Sequence, residues 1–448
     1  MIQRSLVFNH VKWALAFIVF AFAGVLVGTT QSVALGATGD DHIPTFSKDV
    51  APIFQKSCQS CHHDGSIAPM SLVTYKDARP YARSIKAKVA TRVMPPWHID
   101  RNVGIQKFKN DPSLSDAEIA TIASWVDHGA PEGNPADMPA PLKFANDEHW
   151  EFKPDIIVSM AKPYVLPGNS GDQYYDVDVD PGFKEDMYIQ AIQTRPSVGY
   201  KVVHHFDTNL VEDPQADPIG LFLSEYAIGK GADFYPTNTG RLIKAGSKIH
   251  FQIHMHSDTV DTPVSVEVGL KVYPKGFVPK YVAFTQHMGN NSTALDIEAG
   301  QIGRTDGYFR LPKPAVLTGF QPHFHTLGRS MCFEAIFPDV RADSARPGPA
   351  KTQTISCVSN YQYGWSLTYP YAEDVSPLLP AGTLIHVTTW HDNTTANPFD
   401  VNSMDWVGDG QRSNDEMGFA WISLYYLDEA DYQQRLKARK AQGGDSQE

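Results

Sequence analysis

Between residues 155 and 430 the sequence breaks into short runs rich in Val, Ile, Tyr and Thr, each cut off by Pro, Gly or Asp. DIIVSM, YYDVDVD, MYIQAIQTRP, YKVVHHFDTNLV, KIHFQIHMHS and VSVEVGLKVY come first; AVLTGFQPHFH, MCFEAIFP, GTLIHVTTWHD and MGFAWISLYYL follow. Few of these segments carry the period of a helix, so the region reads as all-β, two jelly-roll-like sandwiches in tandem. A break near YPKGFVPKYV predicts a first sandwich over 155–275 and a second over 276–430. The last residues, 431–448, read as a charged tail in which a short helix frays. With 448 residues the chain has room for a further domain.

That domain is expected at the N-terminal side. Residues 1–36 have the form of a secretory signal: Arg4 and Lys12, an apolar run from Trp13 to Val27, then small residues. The run is close to spanning length, so an uncleaved membrane anchor stays open. Cys58-Gln59-Ser60-Cys61-His62 then gives the C-x-x-C-H pattern, in which two thiols bond covalently to a haem and the following His ligates its iron. Met94, held in the stiff Val93-Met94-Pro95-Pro96-Trp97 loop, is the first choice for the opposite ligand; Met70, His63 and His98 compete. Ser115 and Glu118 form a capping box for a helix ending at Gly129, with Ile119, Ile122, Trp125 and Val126 on one face. Residues 44–137 resemble class I c-type cytochromes, which implies a small all-α cytochrome c domain. A Pro-rich linker over 138–154 follows.

Histidines cluster in the β region. His323 and His325 sit at i and i+2, a spacing that turns both rings to one face of a strand. His204 and His205 are adjacent, so on a regular strand they point to opposite faces unless the backbone bulges. His254 offers a third nitrogen, with His250 and His256 as local competitors, and Met417 adds a thioether downstream. Imidazoles with a soft sulfur form a copper-like ligand set. Cys332 and Cys357 remain as a pair: in an exported chain a disulfide closing about 25 residues is favoured over two buried thiols.

Taken in order, VVHHF, FQIHMH, PHFHTLG and NDEMGFAWISLYY resemble the copper type II, ascorbate-dependent monooxygenases, the family of peptidylglycine α-hydroxylating monooxygenase and dopamine β-monooxygenase. The resemblance implies two β-sandwiches on opposite sides of a cleft. His204, His205 and His254 would hold the electron-donating copper, and His323, His325 and Met417 the oxygen-activating one. It further implies O2 and a small organic substrate, with the covalent haem feeding the first copper from an external donor. Where the peptide-amidating enzyme holds its substrate's carboxylate with Arg and Tyr, this chain has Gln321 and Trp421, so peptide amidation is not expected. Gly418 replaces a cysteine of the animal enzymes.

The leading expectation is therefore an exported, periplasmic haem c and dicopper monooxygenase. The alternative is a non-enzymatic electron-transfer or copper-binding protein; a zinc hydrolase is weaker, because Met is a poor zinc ligand and Asp207, Asp258 and Glu416 read as solvated turn residues. Fifty acidic against 38 basic residues, −12 overall and −14 without the signal's two bases, exclude a nucleic-acid surface.

Overall fold

The computed structural model describes residues 42–64, 68–142, 150–227, 230–289, 295–338, 351–400, 402–410 and 412–441. The expected signal and the final residues of the tail lie outside these. The described chain is mostly β-sheet with a few short helices. Among the described residues no helix is long and apolar enough to cross a membrane.

The first sandwich faces one sheet, ordered Asp172–Val179, Lys248–His256, Val203–Val211, Leu221–Ala227, against another that contains Met187–Val198 and Thr262–Val272. Period-two alternation fills the space between them. Ile249, Phe251, Ile253 and Met255 point inward onto Phe206, Leu210, Val266 and Val268. His250, Gln252, His254 and His256 therefore take the opposite face.

The second sandwich repeats the scheme. Ala315–Phe324, Gly418–Tyr426 and Tyr281–Gly289 form one layer, and Thr352–Val358, Gly328–Ile336, Leu384–Asp392 and Ile302–Arg310 the other. Phe320, Phe324, Ala420, Ile422 and Leu424 enter its core, leaving Gln321, His323, Phe419 and Trp421 on the outer face. The two sandwiches are not separate bodies on a string. Thr239–Ile243 pairs in parallel with Tyr281–Gly289, so one continuous sheet runs through both. Cys332 and Cys357 are register partners on neighbouring strands and form a disulfide.

The N-terminal part contains short helices packed around Phe46, Phe54, Ile122 and Trp125. Asp116–Asp127 starts at the predicted capping box, with Ser115 and Glu118 exchanging hydrogen bonds, and stops at Gly129, φ +88°. A free-standing all-α domain is not what forms. Residues Ile99–Gly104 leave the helices and pair with Thr352–Val358 as an edge strand of the second sandwich. Ile99 and Phe108 belong to that sandwich's core, and Trp97 packs against it. The physical reason is the apolar content of WHIDRNVGIQKF: it has a face to bury, and Ile99, Phe108 and Trp97 bury it against the second sandwich.

At the other end Glu429–Ala441 is a docked helix. Tyr432 is buried with Tyr281 and Tyr425, and Lys280 and the Tyr281 hydroxyl both reach Asp431.

Candidate metal centre

His204 is the extra residue of a bulge. His254 pairs with His205 and Met255 with Val203, so the ladder skips one position. Val203 and Phe206, three apart, both enter the core for the same reason. The bulge brings both adjacent imidazoles to one face, beside His254. One nitrogen from each of the three rings lies within 4.8 Å of the others, the one such group of His, Cys, Asp or Glu side chains among the described residues.

The electrostatics of this trio suit a cation. His204 Nδ1 and His205 Nδ1 are 2.9 Å apart, a distance at which two imidazole nitrogens share either a proton or an ion. Both ring nitrogens of His254 are buried without a hydrogen-bond partner. Burial first, and the neighbouring His204 second, push its pKa down to about 4. Burial also lowers His204, and lowers His205 further with help from His204 and His254. All three rings are thus neutral, with lone pairs ready for a metal. Tyr174 stacks flat on His254 at 4.4 Å, and Asp172 stands 3.7 Å from its Nε2. The competitors are occupied otherwise: His250 Nδ1 meets Asp178 at 2.8 Å and His256 Nδ1 meets Asp172 at 2.8 Å.

The second group is assembled across a longer span of sequence. His323 is the last but one residue of its strand, with its ring stacked on Phe419 at 4.6 Å, and His325 follows just past the strand end. The two rings are 5.7 Å apart. Burial, then His325, pushes the His323 pKa down to about 3. Phe324 pairs with Gly418 in the antiparallel register, so its continuation sets Met417 opposite His325.

A residue expected to be solvated organises this turn. Glu416 is completely buried, and its carboxylate accepts from the backbone N–H groups of His325 (3.2 Å), Leu327 (2.9 Å) and Met417 (3.1 Å). His391, equally buried, places Nε2 3.1 Å from the Met417 carbonyl and 3.4 Å from the Glu416 carboxylate. His325 Nδ1 lies 3.0 Å from the Asp415 carbonyl, which leaves Nε2 for a ligand. Gly418 also has its reason here: a Cβ would come within 2.9 Å of His391 Cε1 and 3.0 Å of Thr389 Oγ1. In the sequence Glu416 reads as a solvated turn residue, and His391 does not stand out. The only signal was their place, one immediately before the Met and the other in an apolar strand.

The two groups face each other. Protonation of His323 or His325 would oppose that of His205, and protonation of His325 that of His254. Tyr363 stands between them, stacked on His204 at 5.4 Å and edge-on to His325 at 6.5 Å. Its hydroxyl meets Ser413 Oγ at 3.1 Å, and Ser413 donates to Asp172 at 3.0 Å, linking the Met417 loop to the first sandwich. Beside this, Phe222 and Trp421 stack at 4.4 Å. Gln321 Nε2 donates to Glu225, a buried acid whose pKa is raised by burial and then by its register partner Asp207.

In the helical region, the backbone N–H groups of Cys61 and His62 both donate to the Cys58 carbonyl, closing a turn around the C-x-x-C-H segment. His62 Nδ1 donates to the Met70 carbonyl at 3.1 Å, which leaves Nε2 for a metal. Burial, then Cys61, pushes the Cys58 thiol up to about 12. Met94 lines a small cavity with Val89, Trp97, Leu114 and Ile119. Trp150 covers Gly269 and lies under the Arg195 guanidinium at 4.3 Å, a structural strap; the neighbouring His149 lies outside the described residues.

No known protein family matches the chain, and no curated protein does. Among solved structures, the major capsid protein P2 of bacteriophage PM2 is 8% identical over 60% of this chain and 97% of that one, with a TM-score of 0.25. The infectious bursal disease virus VP2 subviral particle protein is 11% identical over 66% and 77%, with a TM-score of 0.19. Superpositions this loose carry no functional information.

Proposed function

We propose that the protein is an exported copper monooxygenase with a covalently bound haem c, hydroxylating a small organic substrate with O2. One observation carries the reading: a neutral, partly buried trio, His204, His205 and His254, faces a second imidazole pair, His323 and His325, with Met417 set beside it. Bound copper at two such sites would supply one-electron redox chemistry, the thioether favouring Cu(I). The haem would be held by Cys58, Cys61 and His62. Met94 would be the further ligand in preference to Met70, whose carbonyl already accepts from His62 Nδ1.

The chain's own residues define the rest. Glu416 and His391 fix the backbone of Met417 so that its side chain starts opposite His325. The Tyr363–Ser413–Asp172 link and the Phe222–Trp421 stack hold the sandwiches together beside the histidines. Gln321 is committed to the buried Glu225, whose carboxyl burial holds protonated, so a substrate carboxylate would find no charge-assisted partner here. Neutral substrates, or those that donate hydrogen bonds, fit this arrangement.

Holoprotein from cells that mature c-type haem should contain one haem and two coppers. Met417→Ile should abolish substrate-dependent O2 consumption while leaving the haem spectrum unchanged. Undiminished turnover by that variant removes the assignment; copper binding with rapid haem oxidation but no substrate-stimulated O2 uptake would instead identify an electron carrier.

A further inference from the structure

The helical region is fastened to the second sandwich. Ile99–Gly104 is hydrogen-bonded into its sheet, the Ser359 N–H donates to the His98 carbonyl at 2.9 Å, and Lys107 and Lys109 pair with Asp374 and Glu373. Trp97, three residues after Met94, meets Tyr369 edge-on with ring centres 4.8 Å apart. Tyr369 is the register partner of Phe320, and their rings are 5.2 Å apart. Phe320 lies on the strand that carries His323, three residues away, or roughly 10 Å along the chain. The link to the first sandwich, by contrast, is the strap ending at Trp150, packed on Arg195 and Gly269 of that sandwich's far layer.

We infer that electrons leave the helical region through Trp97, Tyr369 and the Phe320–His323 strand segment, and so reach the His323, His325 and Met417 group directly instead of the His204 trio. This rests on the function proposed above and reverses the order expected from the sequence. The step moves one electron: ferrous haem iron ligated by His62 becomes ferric, and Cu(II) at His323, His325 and Met417 becomes Cu(I), with no proton or bond exchanged. The aromatic rings shorten the tunnelling distance and are not themselves oxidised.

The test uses the full-length holoprotein with its coppers oxidised, without O2 or substrate. A photochemical one-electron pulse reduces the haem, and its reoxidation is followed by absorbance. Wild type and His254→Ala, which retains one copper, should share the fast phase within about twofold; His323→Ala and His325→Ala should slow it at least tenfold. The haem spectrum and far-ultraviolet circular dichroism of each variant report folding. A fast phase kept in both second-site variants but lost in His254→Ala overturns the inference, as does equal slowing in all three. Wild type that binds no copper overturns the proposed function together with it.

Discussion

The two histidine groups reach comparable ends by different means. The first is built almost entirely within one sheet: a single bulge turns His204 beside His205, and antiparallel pairing delivers His254. The second needs a strand end, a turn and a loop about 90 residues further along, tied by the buried carboxylate of Glu416. A site made from neighbouring strands inherits its geometry from the ladder. A site made from loops must be given a fixed point, and here that point is a charge taken out of water and satisfied by backbone N–H groups.

The sharpest way to break this comparison is Glu416→Ala. It leaves three backbone donors without their acceptor and should cost about 3–5 kcal/mol in urea unfolding. Copper content should fall from two to one, because the first trio does not depend on Glu416. Loss of both coppers would show that the two groups are one structural unit.

The dependence of the second sandwich on its neighbours can be sharpened through pH. His98 is buried at the junction with the helical region, and burial pushes its pKa down to about 4, against about 6.5 in an unfolded chain. As pH falls, the unfolded chain takes up this proton first. The stability that goes with a neutral His98 is therefore whole above about pH 6.5 and is lost on the way down to pH 4, by roughly 3 kcal/mol. Stability measured against pH should steepen over that window, and His98→Gln should remove this share of the slope.

Ser413→Ala tests the smallest connection. It removes the hydroxyl that joins Tyr363 to Asp172 and should cost about 1 kcal/mol. Both coppers should stay bound, while the dipolar broadening between two Cu(II) ions in electron paramagnetic resonance should weaken as the loops part. Unchanged broadening would assign closure to the Phe222–Trp421 stack instead.

Much of this was readable in the chain. Short β-rich runs cut by turn residues marked the β region, the capping box fixed the start of one helix, and adjacent histidines on a strand made a bulge one way to bring both rings to one face. Glu416 was misread because a carboxylate in a turn is ordinarily solvated, and only three N–H groups folded around it make burial tolerable. The strand Ile99–Gly104 was assigned to the helical region because its sequence says that it has an apolar face, not which core that face will enter.

The sequence by itself determined the local items: strand type, cap and the chemistry of each side chain. These depend on periods of two or 3.6 residues and on bonds between near neighbours. Tertiary structure alone decided that the outer faces of two sandwiches meet, that Tyr363 stands between the histidine groups, and that the helical region joins the second sandwich. Those contacts join residues as far apart as Asp172 and Ser413, and which of several apolar or polar faces pair is settled by the burial each pairing achieves in the whole chain.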